Sequence, residues 1–232
     1  MCSIMKISYI SDLHFEYNQI FELNNVVNSD VLILAGDITT HKEMNKLHLW
    51  FDDIHKKWKY VIYILGNHEY YGDYLYNHHN YQVIDKIHFI SLTLWLPCNE
   101  YDCLELLDTY SHRQMKSQCY NKRALARKFS ENLSKFNFLD KIYLEDKLKN
   151  IDQDSKVVII THFPPVKKCS YGSHYPYNQF FHGYLDDFLI EKNFKIDYWV
   201  YGHTHDNRKD FEQYGIQFIC NQDTKRVKTF EI

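Results

Sequence analysis

Residues 30–37, Asp-Val-Leu-Ile-Leu-Ala-Gly-Asp, carry a continuous apolar run straight into a glycine and an aspartate. A short run that is apolar on both faces predicts a buried strand of an α/β sheet. Asp37 then falls just past the carboxyl end of that strand, the edge where open α/β sheets do their chemistry. The same arrangement recurs on either side. Lys6 to Ile10 alternates toward Asp12-Leu13-His14, and Tyr60 to Leu65 leads to Gly66-Asn67-His68-Glu69. Lys156 to Ile160 leads to Thr161-His162, and Ile196 to Tyr201 leads to Gly202-His203-Thr204-His205. Each strand would deliver a polar cluster to one edge.

Between the second and third of these runs, Leu47, Trp50, Phe51, Ile54 and Trp58 recur at three- and four-residue intervals, which predicts one apolar helix face and hence a strand-helix-strand crossover. His88 to Leu96 reads as one strand or two short ones. Pro97 to Met115 has little periodicity and reads as a long surface excursion. Lys122 to Phe136 and Leu139 to Leu148 read as two helices, Phe163 to Phe181 as an aromatic-rich loop, and Tyr184 to Glu191 as a helix. Ile216 to Cys220 and Val227 to Ile232 close the chain as strands. No repeat or low-complexity tract interrupts the pattern.

With 232 residues, 28.2 kDa and no Gly/Pro/Ser-rich linker, the expectation is a single domain over residues 1–232. Hydrophobic residues at 45% and charged residues at 25% exclude a disordered or fibrous chain. A net charge of -3 with no basic block gives no general nucleic-acid signal. No membrane-length apolar run and no signal-peptide pattern are present, so the expected location is the cytoplasm. The six cysteines show no C-x-x-C pair or zinc-finger spacing and are read as reduced thiols.

Imidazole nitrogens with carboxylate and amide oxygens hold divalent ions of intermediate hardness, and the five clusters supply those donors without a thiolate. Asp12 and His14 are two residues apart, so an extended backbone would point both side chains one way. His203 and His205 repeat that spacing, with Thr204 facing the other side. Asp37 has two oxygens and can bridge two ions. Two such ions carry about +4, of which Asp12, Asp37 and a bridging hydroxide remove about three, leaving a mildly cationic centre that attracts phosphate. The ions also acidify a shared water and so supply the nucleophile.

In order and kind, these segments resemble the D-x-H, G-D, G-N-H-D/E, H and G-H-x-H blocks of the calcineurin-like metallophosphoesterases, and the likeness spans Met1 to about Asn221. It implies an α/β/β/α four-layer sandwich with a mixed sheet core. It also implies one metal held by Asp12, His14, Asp37 and His205, and a second held by Asp37, Asn67, His162 and His203. Asn67, Asp37 and His68 would form the catalytic group, with His68 as general acid toward the leaving oxygen. Thr93-Leu94-Trp95, Thr161-His162-Phe163-Pro164-Pro165, Asp206 and Cys220-Asn221 are similar to a compact bacterial-type branch. After Asp37, however, Ile38-Thr39-Thr40-His41 replaces the G-D-x-x-D-R-G block of protein Ser/Thr phosphatases. A dedicated phosphoprotein phosphatase is therefore not expected, and the partner that supports His68 is left unidentified.

The expected activity is hydrolysis of a small phosphomonoester or phosphodiester by in-line attack of a metal-bridging hydroxide. The expected cofactors are two divalent ions, Mn first among Mn, Fe, Zn, Co and Ni. A nuclease, a pyrophosphohydrolase and an inactive metal-binding scaffold remain as alternatives. His174, Tyr175 and His182 in the later loop, and Arg113 or Arg123 near the earlier excursion, are candidate substrate contacts from position alone. Trp95 is a candidate cleft wall, Glu69 a structural acceptor of backbone donors, and His41, His48, His55, His78 and His79 are read as solvated or boundary residues.

Overall fold

A computed structural model describes residues 4–23, 28–70, 77–99, 122–170, 181 and 183–232. One sheet contains β1 (Lys6–Ile10), β2 (Val31–Ala35), β3 (Tyr60–Ile64) and β10 (Lys228–Glu231), ordered β10-β1-β2-β3. The other contains β4 (His79–Ile84), β5 (Ile87–Leu92), β6 (Lys156–Thr161), β7 (Tyr198–Tyr201), β8 (Phe211–Gln213) and β9 (Ile216–Cys220), ordered β4-β5-β6-β7-β9-β8. The pairings β1-β2, β2-β3, β5-β6, β6-β7 and β7-β9 are parallel, and the edge strands β10, β4 and β8 pair antiparallel. Parallel neighbours place their carboxyl ends side by side, and that is what gathers the polar clusters.

Three apolar layers separate four structural ones. Ile7, Ile33, Ile62 and Ile64 of the first sheet pack against Phe89, Val158, Ile160 and Val200 of the second. Leu32 and Leu34, on the outer face of β2, pack on Trp50 and Ile54 of α1 (His48–Lys57). Ile159, Trp199 and Phe218, on the outer face of the second sheet, pack on Phe129, Leu133 and Leu144 of α2 (Lys122–Leu148). The expected α/β/β/α sandwich with mixed sheets is therefore present. Every residue of β2 is buried because both its faces are covered, which is why it reads as an uninterrupted apolar run. No helix among the described residues is long and apolar enough to cross a membrane.

Several boundaries differ from the sequence reading. The two helices expected over 122–148 are one 27-residue helix. No Gly or Pro breaks it, and Asn137, which reads as an interruption, donates its buried side-chain N–H groups to Trp95 O at 2.7 Å and Gly183 O at 3.2 Å rather than competing with its own backbone. β4 and β8 are strands the pattern missed. Each is a half-exposed edge strand closed by a two-residue turn with positive φ, Asp85-Lys86 and Tyr214-Gly215, neither of which is the Asn-Gly signature. The expected aromatic loop carries α3 (Lys167–Ser170), and α4 (Asp186–Lys192) follows it. Cys169 and Cys220 are free and buried, as expected of reduced thiols, whereas Cys98 is disulfide-bonded. Most of the excursion expected over Pro97 to Met115 lies outside the described residues.

Candidate metal centre

Five strand ends converge on one edge. β1, β2 and β3 of the first sheet deliver Asp12 and His14, Asp37, and Asn67 with His68, while β6 and β7 of the second deliver His162, and His203 with His205. The expected geometry of the pairs needs correction. Asp12 (φ 57°) and His14 (φ 47°) are not extended but left-handed, as are Asp37 (φ 53°), His203 (φ 74°) and His205 (φ 51°). The chain turns sharply at each strand end, and the side chains converge through those turns rather than through a pleat. Left-handed backbone costs about 1–3 kcal/mol per non-glycine residue. A fully buried Val, Leu or Ile contributes about 1.5–3 kcal/mol, and the inter-sheet layer holds many more of these than there are strained candidate ligands, so the strain persists. Thr204, expected to face away, is buried, and its hydroxyl and the Gln222 amide hydrogen-bond each other beneath the loop.

Two glycines make the approach possible. Gly36 has φ +85°, and a Cβ there would lie 2.6 Å from His162 Nδ1 and 2.7 Å from Gly66 N. At Gly66 a Cβ would lie 2.2 Å from Asp37 Oδ1. Any side chain at either position would occupy the space through which the two sheets bring their polar clusters together.

Two donor groups result, with Asp37 in both. Asp12, His14, Asp37 and His205 place ligand atoms within 4.8 Å of one another, and so do Asp37, His162 and His203. His14 Nε2 lies 2.9 Å from His205 Nε2, and His205 Nε2 lies 3.4 Å from Asp12 Oδ1. In the second group His162 Nε2 lies 3.3 Å from Asp37 Oδ2 and 3.0 Å from Asn67 Oδ1. The donor set suits divalent transition ions. Two ring nitrogens facing each other at 2.9 Å need a proton or a cation between them, which is a second sign of fit. His162 Nδ1 donates to Ala35 O at 3.0 Å, leaving Nε2 to face the group.

The electrostatics agree with a site built for positive charge. Burial opposes protonation of His14, but its hydrogen bond to Glu16 and the charges of Asp37 and Asp12 raise it to about 9. Against its own burial, His162 is likewise raised to about 9 by Asp37 and Asp12. Asp37 is held well below the usual carboxylate range, despite its burial, by His162, His68 and His14.

Glu69 proves to be more than an acceptor at a helix start. Its buried carboxylate accepts the N–H groups of Asp37 (2.9 Å), Ile38 (2.8 Å), Thr39 (3.4 Å) and Gly66 (2.7 Å) and the hydroxyl of Tyr63 (2.7 Å). One side chain thereby fixes the Asp37 turn against the Asn67-His68 turn. Burial and the Asp37 charge raise it to about 6 in spite of those donors. The residue the sequence reading missed is Glu16. Its Oε1 lies 2.6 Å from His68 Nδ1 and 3.0 Å from His14 Nδ1. It stands in Asp12-Leu13-His14-Phe15-Glu16, two residues beyond the recognised motif, but nothing local pairs it with His68, 52 residues on.

Other expectations separate clearly. Trp95 is buried between Tyr70 and Phe163 and serves the core, not the cleft wall. Phe163 and Phe181 instead flank His203, with ring centroids at 4.1 and 5.0 Å. His79 is no solvated loop residue: its Nε2 pairs at 2.6 Å with the buried Asp140, and its ring stacks on Tyr143 at 4.1 Å. Arg123 sits exposed at the start of α2. Arg113, His174, Tyr175 and His182 lie outside the described residues.

Comparison with known proteins identifies the family. Residues 5–207 match the family model described as calcineurin-like phosphoesterase. Uncharacterized protein L509 of Acanthamoeba polyphaga mimivirus is 27% identical, with 92% of this chain and 89% of that protein covered. Among solved structures, phosphopantetheinyl hydrolase from Mycobacterium tuberculosis superposes with a TM-score of 0.60 at 14% identity, covering 97% of this chain and 92% of that one. A dimetal phosphatase from Danio rerio gives a TM-score of 0.58 at 13% identity, with 97% and 91% covered. On the extent of the family match, the chain belongs to the calcineurin-like phosphoesterases.

Proposed function

We propose that the protein hydrolyses a phosphoester on a small substrate, with two divalent ions held as the shared position of Asp37 dictates. The carrying observation is that Asp37 belongs to both donor groups. Asp12, His14, Asp37 and His205 would hold one ion, and Asp37, Asn67, His162 and His203 the other. Manganese is the ion we expect to support turnover. When bound, the ions supply Lewis acidity and an acidified water as nucleophile. The chain's own contribution is to fix and to protonate. The Asn67 side-chain oxygen and the Asp37 carboxylate hold their positions through the Glu69 anchor and through the His68 N–H, which donates to Asp37 Oδ1 at 2.8 Å. His68 Nε2, 3.8 Å from Asp37 Oδ2, faces the space where a phosphoryl group would sit and delivers a proton to the leaving oxygen. The exposed ring of Tyr17, beside His14 and His68, and Phe181, beside His203, flank that space and favour a substrate with an apolar or planar group.

The test is turnover of an aryl phosphomonoester, an aryl phosphodiester and pyrophosphate by protein loaded with Mn²⁺, against the chelated control. Metal-dependent release from at least one ester is expected. Absence of metal-dependent turnover with all three, across Mn, Zn, Fe, Co and Ni, would overturn the proposal.

A further inference from the structure

We propose that Glu16 is the positioning residue for His68: one carboxylate oxygen sets which ring nitrogen of the proton donor faces the substrate, and couples that donor to the ligand His14. The inference rests on the reading of His68 as proton donor given above. The segment after Asp37, Ile38-Thr39-Thr40-His41, supplies no carboxylate for His68. Here the carboxylate comes from the β1 turn instead.

The geometry specifies the role. Glu16 Oε1 lies 2.6 Å from His68 Nδ1 and 3.0 Å from His14 Nδ1, and the two rings meet edge to face with centroids 4.4 Å apart. An ionised carboxylate only accepts hydrogen bonds, so both imidazoles must present N–H at Nδ1 to it. That leaves Nε2 of each ring for the site: on His14 as a lone pair toward Asp12, Asp37 and His205, and on His68 as the atom that exchanges a proton. The Glu16 side chain is 6% exposed. Its second oxygen, Oε2, is buried with no hydrogen-bond partner among the described residues, so the histidine pair is what this oxygen pair is built around. The same trio also satisfies the spacing of a cation site. Both Nδ1 atoms, however, converge on a single carboxylate oxygen with hydrogen-bond distances already made, and His14 is already committed through Nε2 to the first donor group. Positioning is the use this arrangement serves.

A proton donor matters most when the leaving oxygen is a poor leaving group. Glu16→Gln should therefore lower kcat on an alkyl phosphate ester by about 10²-fold, and on a nitrophenyl ester by no more than a few-fold. Glu16→Asp should recover part of the alkyl-ester loss. Metal stoichiometry measured on the same preparations should equal that of the wild type. In the metal-free protein, ¹⁵N-histidine NMR at alkaline pH should show His68, assigned by its absence in His68→Ala, as the Nδ1–H tautomer. In Glu16→Ala it should revert to the Nε2–H form that an unpartnered imidazole prefers. Equal losses on both esters, a Glu16→Gln defect explained by metal loss, or an unchanged His68 tautomer would each overturn the proposal. Should Glu16→Ala not fold, Glu16→Leu, which fills similar volume without an acceptor oxygen, takes the same NMR measurement, with loss of the fixed Nδ1–H form as the expected result. If the wild-type protein shows no turnover, the phosphoesterase reading fails, and the tautomer measurement still decides the role of Glu16.

Discussion

The backbone N–H of His203 donates to the Asp12 carboxylate, at 3.1 Å to Oδ1 and 3.2 Å to Oδ2, from a residue 191 positions away. The bond crosses the seam between the two sheets, so the carboxylate that belongs to the first donor group also locks the β7 turn in place. The Ser11 hydroxyl donates to the same carboxylate. Asp12→Asn keeps an oxygen for His203 N–H while removing a charge. Its fold should survive, and metal-dependent turnover should fall by at least about 100-fold with weaker Mn²⁺ binding. Calorimetric titration with Mn²⁺ checks this; wild-type affinity and rate would count against the role of Asp12.

Asp37→Asn and His205→Ala probe the two proposed ligands, one shared between the donor groups and one outer. Asparagine at 37 can still accept the His68 N–H, and the His205 side chain is 45% exposed, so neither variant should lose its far-ultraviolet circular dichroism. Both should lose metal-dependent turnover. Asp37→Asn should also lower the metal stoichiometry at both sites, whereas His205→Ala should affect one. Retention of two ions by Asp37→Asn would show that the carboxylate does not bridge.

Glu69→Gln tests the anchor. Glutamine matches the shape but turns an N–H₂ group toward backbone donors that now have a carboxylate oxygen, and buried donors left without acceptors cost about 1–3 kcal/mol each. A loss of about 2–4 kcal/mol in unfolding free energy is expected. Tyr63→Phe, which removes one of the donors, should cost only about 1 kcal/mol. Urea melts of the two variants provide the comparison, and equal stability would mean that Glu69 is not the joint between the turns.

Gly36→Ala adds a methyl group where φ is +85° and His162 Nδ1 is 2.6 Å away. Backbone strain alone costs about 1–2 kcal/mol, and the Gly66 backbone opposite cannot withdraw as a flexible side chain could. The variant should melt at a lower temperature and bind metal more weakly, because His162 is displaced from Asp37. Wild-type affinity in a folded Gly36→Ala protein would contradict this account of the close approach.

The metal-free protein should be less stable at alkaline pH. His14 and His162 are raised to about 9 from an ordinary value of 6.5, so the folded state binds their protons more tightly than the unfolded chain does. That contribution is complete below 6.5 and is lost as pH rises from 6.5 through about 9. Melting temperature in the presence of chelator should fall across this window, and saturating Zn²⁺, which takes the place of those protons, should flatten the slope. A chelated protein whose melting temperature is constant or rises over the window would contradict the proposed electrostatics.

Much of this was legible in the chain. β2 read as a buried strand because burial on both faces leaves no polar position, and α1 because Trp50 and Ile54, four residues apart, mark one buried face. Asp12, His14, Asp37, Asn67, His68, His162, His203 and His205 could be picked out because each follows a strand whose carboxyl end sits at one edge. β4 and β8 were not legible, since edge strands half-exposed to water lack a strong alternation. The pairing of His79 with Asp140 spans 61 residues, and no local pattern encodes it.

The sequence by itself determined the succession of strands and polar clusters along the chain and the donor chemistry, because buried strands and ligand-type side chains are local properties of the chain. Only the tertiary structure decided how those donors meet. The left-handed turns at Asp12, His14, Asp37, His203 and His205 replace the extended geometry that spacing alone implied. Glu16 gains its place beside His68, 52 residues away, only when β1 and β3 lie on either side of β2. Contacts of that kind are set by the packing of two sheets and three apolar layers, and a residue's neighbours along the chain carry no record of them.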